Sequence, residues 1–277
     1  MNNWQEYVEE MEKWRAERDE QWRQENGWLA LAGLYWLEQG ESRMGTGSEM
    51  EIQLPAGTAP DYLATLTVTD TKVQLTAPEG SPVFVDGERV TDITLVADRP
   101  GPATLVSSGS LVWFIKREDD FMAVRLWDNS RPERKSFPGR EWYPLEADYR
   151  VAATYTPRSD NSTESFPRTF GMSAEREIIG QVEFEIGGQQ LSLQALPGME
   201  GRLFLILKDS TSGQTTYGAG RYLMADAPVD GKVLLDFNQA FNPPCSITDF
   251  ATCMFPPPSN HLSVAIPAGE KYVSWQH

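Results

Sequence analysis

The chain has few cysteines, few histidines and few basic side chains. Its 277 residues include two cysteines and two histidines. Two cysteines are too few for the disulfide framework of a small secreted domain, so we expect a reducing, cytoplasmic location. The sequence carries 24 basic against 40 acidic residues, a formal net charge of −16. Nucleic acid is therefore not an expected partner, because its phosphates are bound by clustered Lys and Arg.

Long apolar runs are also missing. No stretch approaches the ~20 consecutive apolar residues that a helix needs to cross a bilayer, so we expect no membrane partner. The first residues, MNNWQEYVEEMEKW, are acidic and lack the apolar region of a signal peptide. What the chain does contain, 40% hydrophobic and 11% aromatic residues, is enough for a packed core. The length fits one large β domain or two of ordinary size.

Residues 1–42 are predicted to form a helix and a buried connector. Apolar residues recur at three- and four-residue steps from Asn2 to about Gln24, which is typical of a helix with one buried face. The pair Asn26-Gly27 is expected to end this helix. The next residues, WLALAGLYWLEQG, predict a short and densely buried segment. The apolar face of the helix consists of Trp4, Tyr7, Val8, Met11, Trp14 and Trp22.

Residues 43–130 are predicted to form an antiparallel β-sandwich. Short apolar or alternating runs such as EIQL, ATLTV, KVQL and LVWFIK are separated by Gly, Pro and Asp. Turn residues recurring at intervals of roughly ten residues are typical of such a sandwich.

Part of this segment resembles the forkhead-associated family. The similarity lies in MGTGSEMEIQLPAGTAPDYLATL and SPVFVDGERV. That family binds phosphothreonine through an Arg, a Ser, a His and an Asn, and the matching positions here are Thr46, Pro60, Leu63 and Ser81. A phosphate without Arg or Lys partners loses its strongest contacts. Phosphopeptide binding is therefore disfavoured, and the segment is interpreted as structural.

Residues 131–277 are predicted to form a second antiparallel β domain. It begins with RPERKSFPGR, interpreted either as a connection between domains or as an anion site. Gly187-Gly188 predicts a two-residue hairpin between QVEFEI and QQLSLQAL. Further strands are expected in YRVAATYT, RLFLILKD, RYLM, KVLLDF and LSVAI. Residues 153–176, which are polar and contain two prolines, are expected to form a long surface loop.

The candidate site is the stretch from Phe237 to Leu262 and the polar residues beside it. A connection of this length without a clear period is usually functional or disordered, and its four phenylalanines favour an ordered loop. An Arg that follows a glycine at the start of a strand is suited to hold a carboxylate or phosphate. The predicted ligand-binding residues are Arg221, Asp236, Asn238, Asn242 and Glu270.

The same residues have a purely structural interpretation. Asp and Asn side chains cap turns and satisfy the backbone of buried loops. Arg221 would then form an internal ion pair with Asp236 or Glu270. Both interpretations remain open at the level of sequence.

Three further hypotheses place reactive chemistry in this stretch. Cys245 or Cys253 could act as a nucleophile with His261 as base, but free cysteine is usually inert packing. Zinc bound by the same three residues lacks CxxC spacing. A hard cation at the acidic and amide residues would need a loop spacing that is absent here. A disulfide between the two cysteines is disfavoured by the expected compartment. We therefore assign no catalytic residue, no metal and no cofactor.

The chain resembles a bacterial family known as the domain-of-unknown-function 1684 family. The resemblance lies in GWLALAGLYWLEQG, TYGAGRYL, LDFNQAFNPPCSITDFATCMFPPPSNHL and PAGEKY, and covers about Trp14 to Tyr272. It implies that the five polar residues, Cys245 and Cys253 belong to the family's signature. Family members carry Arg where this chain has His261, which weakens a mechanism based on Cys and His.

The sequence thus predicts a mainly β protein with an N-terminal helix and two antiparallel β domains, the second with a long ordered loop. Its predicted function is binding of an unidentified small molecule or anion in a polar pocket of the C-terminal domain, with enzymatic activity left open. The alternative is a non-catalytic scaffold or interaction module in which the signature residues are structural.

Overall fold

The computed structural model describes residues 2–273, with side chains from Trp4 onward. Internal contacts divide the chain into two compact units. We call residues 14–137 the sandwich unit. The described residues up to Lys13, together with those from Pro138 onward, are the signature unit. The domain boundaries after residues 42 and 130 stay predictions.

The N-terminal helix, α1, spans Asn2–Arg23, as its apolar period predicts. Tyr7, Met11 and Trp22 on its apolar face are buried. The chain leaves the helix at Asn26, whose φ of 57° is left-handed, and the Gly27 amide donates to the carbonyl of Gln24 at 3.0 Å. No helix within residues 2–273 has the length and apolar character needed to cross a membrane.

The sandwich unit contains a six-stranded and a five-stranded sheet. In the first sheet the strand order is β1-β11-β10-β9-β6-β7, and in the second it is β3-β2-β4-β5-β8. Pairing is antiparallel except between β2 and β3. A short helix, α2, spans Glu133–Ser136. The strands are β1 Leu31–Leu37, β2 Gly40–Gly45, β3 Ile52–Gln53, β4 Ala64–Thr69, β5 Lys72–Thr76, β6 Phe84–Val85, β7 Glu88–Arg89, β8 Asp92–Leu95, β9 Val106–Ser108, β10 Leu111–Glu118 and β11 Phe121–Asp128.

Both sheets contribute to one hydrophobic core. Trp113 and Ile115 of β10 pack with Met44 of β2 and Leu66 of β4, and all four are fully buried. Each such side chain contributes roughly 1.5–3 kcal/mol by leaving water. The β pattern begins earlier than residue 43, because the predicted buried connector contains β1, which pairs with β11. Residues 29–33 of that segment are buried as predicted, whereas Trp36 is 36% exposed and residues 38–40 are exposed, so the predicted dense burial is wrong for the second half.

The signature unit is built on a six-stranded antiparallel sheet. Its strand order is β18-β17-β16-β15-β12-β19, and β13 and β14 form a separate hairpin. Gly187 and Gly188 join β15 to β16 with φ of 59° and 77°, so the predicted two-residue turn is confirmed. The strands are β12 Arg150–Pro157, β13 Thr163–Pro167, β14 Ser173–Glu177, β15 Gly180–Ile186, β16 Gln189–Pro197, β17 Leu203–Leu207, β18 Arg221–Ala225 and β19 Lys232–Asp236.

Two sequence predictions for this unit are wrong. Residues 153–176 are predicted as a surface loop, but beyond β12, which the predicted strand YRVAATYT largely covers, they contain all of β13 and most of β14. Phe166 of β13 is fully buried with Ile178 and Ile206, and this packing outweighs the polar composition around it. The predicted strand LSVAI is irregular, because Leu262 donates to the carbonyl of Lys208 while Ile266 donates to the Asp209 carboxylate. The irregular segment therefore extends from Phe237 to Lys271, and we call it the signature loop.

Candidate functional site

The signature loop is ordered by its own buried polar side chains. Asn260, which is fully buried, donates from Nδ2 to the carbonyls of Gln194 and Ile206 at 3.1 and 2.8 Å. Its Oδ1 accepts from the Gln194 amide at 2.7 Å. One amide side chain thus replaces the hydrogen bonds that a strand would supply to β16 and β17.

Arg221 lies at the start of β18 and is fully buried. Its Nη2 donates to Asp209 Oδ2 at 2.7 Å and to the carbonyl of Ile266 at 2.9 Å, and its Nη1 donates to the carbonyl of Ala268. The internal ion pair considered from sequence is present, but its partner is Asp209, so the predicted pairing with Asp236 or Glu270 is wrong.

Asp209 is itself held by other groups of the unit. Its Oδ1 accepts from the amide and the hydroxyl of Thr211 at 2.8 and 2.6 Å, and from the amide of Ile266 at 3.3 Å. Such bonds from neutral donors stabilise the carboxylate that faces the Arg221 guanidinium. The sequence signal was an Asp two residues before a Thr in a turn, which is common and does not identify a partner.

Asn242 and Glu270 form a second contact group. The amide of Asn242 donates to Glu270 Oε2 and its Nδ2 donates to Glu270 Oε1, both at 3.0 Å. Nδ2 also donates to the carbonyl of Lys271 at 2.9 Å. Arg140 Nε lies 3.5 Å from Glu270 Oε2, with both side chains buried. This group joins the two ends of the signature loop to each other.

Asp236 and Asn238 form a third contact group. Asp236 Oδ1 accepts from the amide and from Nδ2 of Asn238 at 3.2 and 3.1 Å, so Asp236 caps the turn that follows β19. Asn238 also bonds both backbone groups of Glu146. Asp236 Oδ2 accepts from the Tyr7 hydroxyl at 2.9 Å and lies 3.4 Å from Arg150 Nε.

The five predicted ligand-binding residues are therefore placed in three groups of one unit. All five are buried, with exposed fractions between 0% for Arg221 and 8% for Asp236. Asp236 also lines a cavity. Sequence reasoning did not identify the residues that complete the three groups, because each lies far along the chain from at least one partner. These residues are Tyr7, Arg140, Arg150 and Asp209.

A cavity of about 200 Å³ adjoins Asp236, and we call it the polar cavity. Arg150 stacks 4.2 Å from the ring centre of Tyr7. Burial, followed by the charge of Asp236, raises the pKa of Tyr7, so its hydroxyl keeps its proton near neutral pH. Arg202 Nε lies 3.4 Å from Asp226. The cavity is lined by Tyr7, Glu10, Met11, Arg150, Arg202, Met224, Ala225, Asp226, Leu234, Asp236 and Gln239.

A second cavity, of about 310 Å³, opens beside Cys245, and we call it the cysteine cavity. The Cys245 amide donates to Cys253 Sγ at 3.3 Å, and the Tyr217 hydroxyl donates to the Cys245 carbonyl at 3.0 Å. Hydrogen bonding with the Cys253 side chain, followed by burial, raises the pKa of the Cys245 thiol well above its usual range. The lining residues are Thr169, Phe170, Tyr217, Cys245, Thr248 and Asp249.

His261 and the metal hypotheses find no support in this geometry. His261 Nε2 lies 3.2 Å from the carbonyl oxygen of Pro256, and the hydrogen bonds of the described residues show no link from its ring to either thiol. Within the described part of the chain, no three His, Cys, Asp or Glu side chains are grouped so that they could hold a metal ion. Asp236 and Glu270, proposed together as cation ligands, lie in different contact groups.

The family match concerns mainly the signature unit. Residues 135–271 match the model of the family described as protein of unknown function (DUF1684). The chain belongs to the DUF1684 family. No curated protein matches it. The solution structure of an uncharacterised protein of Haloarcula marismortui is similar, with 32% identity over 50% of this chain and 79% of its own, at a TM-score of 0.42.

A structure described as a structural and functional analysis of phosphothreonine-dependent FHA domain interactions is also similar. The identity is 12%, over 34% of this chain and 92% of that chain, and the TM-score is 0.25. A likeness this low adds no argument to the sequence resemblance. The DUF1684 match includes all five predicted residues and both cysteines, so the residues that organise the signature loop lie inside the matched segment.

Proposed function

We propose that this DUF1684 protein binds a small molecule with an anionic group in the polar cavity. The observation that carries the proposal is the pair of arginines on its wall. The side chains of Arg150 and Arg202 line the cavity and are partly exposed, and each Nε lies 3.4 Å from a carboxylate of the protein. A guanidinium has five N–H donors in a planar fork, so the outer donors of these two arginines are suited to a carboxylate of a bound ligand.

The acidic side chains limit the class of ligand. Glu10, Asp226 and Asp236 line the same cavity, so a multiply charged anion would be repelled. A small carboxylate that also carries hydrogen-bond donors, such as an amino acid, matches both sets of charges. In this proposal Asp236 contacts the ligand, whereas Arg221, Asn238, Asn242 and Glu270 hold the surrounding loop.

The test is a thermal-shift screen of small carboxylates, amino acids and phosphate esters against the full chain. A ligand present at 100 times its Kd stabilises the folded state by about 2.7 kcal/mol, which raises the midpoint by a few degrees. We expect Arg202→Gln to abolish the shift. The matched control is Arg158→Gln, which changes an arginine that bonds Ser162 outside the cavity. The proposal fails if no compound shifts the wild type, or if Arg202→Gln responds as the wild type does.

A second function is favoured by the hydrogen bonds that the signature residues make within the protein. Arg221, Asn238, Asn242 and Glu270 all bond protein atoms inside the unit. They would do the same in a non-catalytic scaffold or interaction module. Under this alternative the screen yields no ligand, while the full chain captures a protein partner that Arg202→Gln does not affect.

We further propose that the sandwich unit is a degenerate forkhead-associated module of a cytoplasmic protein. Support comes from the positions that match the phosphate ligands of that family. The Thr46 hydroxyl donates to the carbonyl of Ala59 at 3.2 Å, and the Ser81 hydroxyl donates to the carbonyl of Leu63 at 2.7 Å. Leu63 is fully buried. A phosphothreonine peptide is expected not to bind, which fluorescence anisotropy with a labelled peptide would check.

A further inference from the structure

We propose that Cys245 and Cys253 are a reversible dithiol–disulfide pair that reacts with small disulfides entering the cysteine cavity. The proposal does not depend on the polar cavity. It concerns the two cysteines that the matched family segment contains and that the proposed binding function does not use.

The two cysteines differ in access. Cys245 is partly exposed and lines the cysteine cavity, whereas Cys253 is 5% exposed and is not among the residues that line it. The backbone amide of Cys245 donates to Cys253 Sγ at 3.3 Å, so the Cys253 sulfur lies against Cys245 although Cys253 comes eight positions later in the sequence. An incoming molecule therefore meets Cys245 first, with the second sulfur already beside it.

Separate segments fix the two cysteines in this arrangement. The hydroxyl of Thr169 accepts from the Cys253 amide at 3.1 Å, and the Thr169 amide donates to the Cys253 carbonyl at 3.1 Å. The Tyr217 hydroxyl donates a hydrogen bond to the backbone carbonyl of Cys245. Thr169 and Tyr217 also line the cavity, so the groups that hold the cysteines form the walls around an entering ligand.

The reaction is two successive thiol–disulfide exchanges. The Cys245 thiolate attacks one sulfur of the small disulfide, forming a mixed disulfide and releasing one small thiol. The Cys253 thiolate then attacks the Cys245 sulfur and releases the second small thiol. The protons lost by the two cysteines go to the two leaving thiolates, so two protein thiols are oxidised and one small disulfide is reduced.

The environment of Cys245 sets the rate of the first exchange. Cys253, Tyr217 and Asp249 face Cys245 or share its cavity, and none of them is a cation. Because the thiolate is the attacking form and the pKa of Cys245 is raised, we expect the reaction to be slow at neutral pH. The experiment is therefore run at about pH 8.5, where a larger fraction of the thiol is ionised than at neutral pH.

The test treats the folded full chain with hydroxyethyl disulfide and follows its intact mass. The wild type is expected to lose two hydrogens, to keep no adduct, and to give a peptide pair linked through Cys245 and Cys253 after proteolysis. Cys253→Ala should accumulate one mixed disulfide at Cys245. Cys245→Ala should react at least about tenfold more slowly than Cys253→Ala, because Cys253 is buried. Dithiothreitol should reverse each product.

Three outcomes overturn the proposal. The first is a stable adduct on the wild type without the internal disulfide, and the second is equal reaction of the two single variants. The third is reaction of all proteins in urea and of none in buffer. If Cys253→Ala does not fold, peptide mapping of the wild type decides alone, since it requires no substitution.

Discussion

At the scale of single residues, Arg221 and Asp209 form an ion pair that is almost fully removed from water. Both side chains are buried, and the guanidinium bonds one carboxylate oxygen and two carbonyl oxygens. A buried pair of this kind adds little net stability compared with apolar residues, but loss of one charge leaves the other uncompensated. The carbonyls of Ile266 and Ala268 both belong to the signature loop. The hydrogen bonds from Arg221 therefore hold this loop against the start of β18.

Asp209→Asn is expected to destabilise the signature unit by about 3–5 kcal/mol, because the Arg221 charge loses its buried counterion. Urea unfolding followed by circular dichroism measures this loss. Asp226→Asn is the matched control, since Asp226 is an exposed carboxylate paired with Arg202. A midpoint for Asp209→Asn equal to that of the control would contradict a buried ion pair.

Tyr7 provides a test of pH dependence at the same scale. Burial and the Asp236 charge raise its pKa in the folded state, so Tyr7 stabilises the fold fully below the unfolded value near 10. This contribution is lost as pH rises through the folded pKa. Each proton retained only by the folded state makes stability fall by about 1.36 kcal/mol per pH unit above pH 10.

Tyr7→Phe is therefore expected to have two effects. It should cost about 1–3 kcal/mol at pH 7, where a hydrogen bond to the Asp236 carboxylate is lost, and it should reduce the decline in stability above pH 10. Urea titrations from pH 7 to 11 measure both. An unchanged alkaline slope would show that the Tyr7 hydroxyl is not the group that titrates.

At the scale of elements, the GAGR turn before β18 shows how backbone geometry fixes the signature loop. Gly220 has a φ of 104°, and a Cβ on it would lie 2.6 Å from the carbonyl oxygen of Leu207 and 2.9 Å from Pro256. Gly218 has no such restriction, since its nearest non-neighbouring atom would lie 3.6 Å from an added Cβ. The close approach at Gly220 brings β17, β18 and the signature loop together.

Gly220→Ala is expected to cost about 2 kcal/mol or more, because the left-handed backbone and the contact with Leu207 both oppose a side chain. Gly218→Ala, two residues earlier, should be nearly neutral. Thermal unfolding of the two variants compares them directly. Equal midpoints would mean that the turn relaxes without loss of packing.

The elements also show what the sequence could predict. The α1 helix and the Gly187-Gly188 hairpin depend on local period and turn geometry, so their residues were sufficient to predict them. The β13–β14 hairpin depends on burial of Phe166 among residues that come later in the chain. The partners of Arg221 and Asp236 are also distant in sequence, since Asp236 lies 229 positions after Tyr7. The sequence was sufficient to identify polar residues of the signature loop. Their contacts could not be predicted, because the fold determines which of these side chains come into contact.

At the scale of the whole molecule, the net charge of −16 and the local charges of the polar cavity have different consequences for binding. The overall charge disfavours polyanionic partners, whereas the polar cavity places Arg150 and Arg202 together within an acidic chain. A small ligand with one anionic group can use this local arrangement without approaching the acidic surface as a polyanion would. Binding in the cavity is therefore expected to depend on salt only weakly, because partly buried charges are screened less than exposed ones.

The sandwich unit has a hydrophobic cluster of its own, which includes Trp113. A substitution of Trp113 therefore tests how much this cluster stabilises the sandwich unit. This fully buried side chain contacts the cluster shared by the two sheets, and its Nε1 has no hydrogen-bond partner among the described residues. Trp113→Ala should destabilise the sandwich unit by about 3–5 kcal/mol, because it leaves a large cavity.

Trp113→Phe should cost clearly less than Trp113→Ala, since it keeps an aromatic ring and removes the indole N–H donor. Urea unfolding compares the two variants, with Trp36→Ala on β1 as a partly exposed control. A cost for Trp113→Phe as large as that for Trp113→Ala would mean that the indole nitrogen is bonded, for example by a buried water molecule, and that its burial is fully compensated.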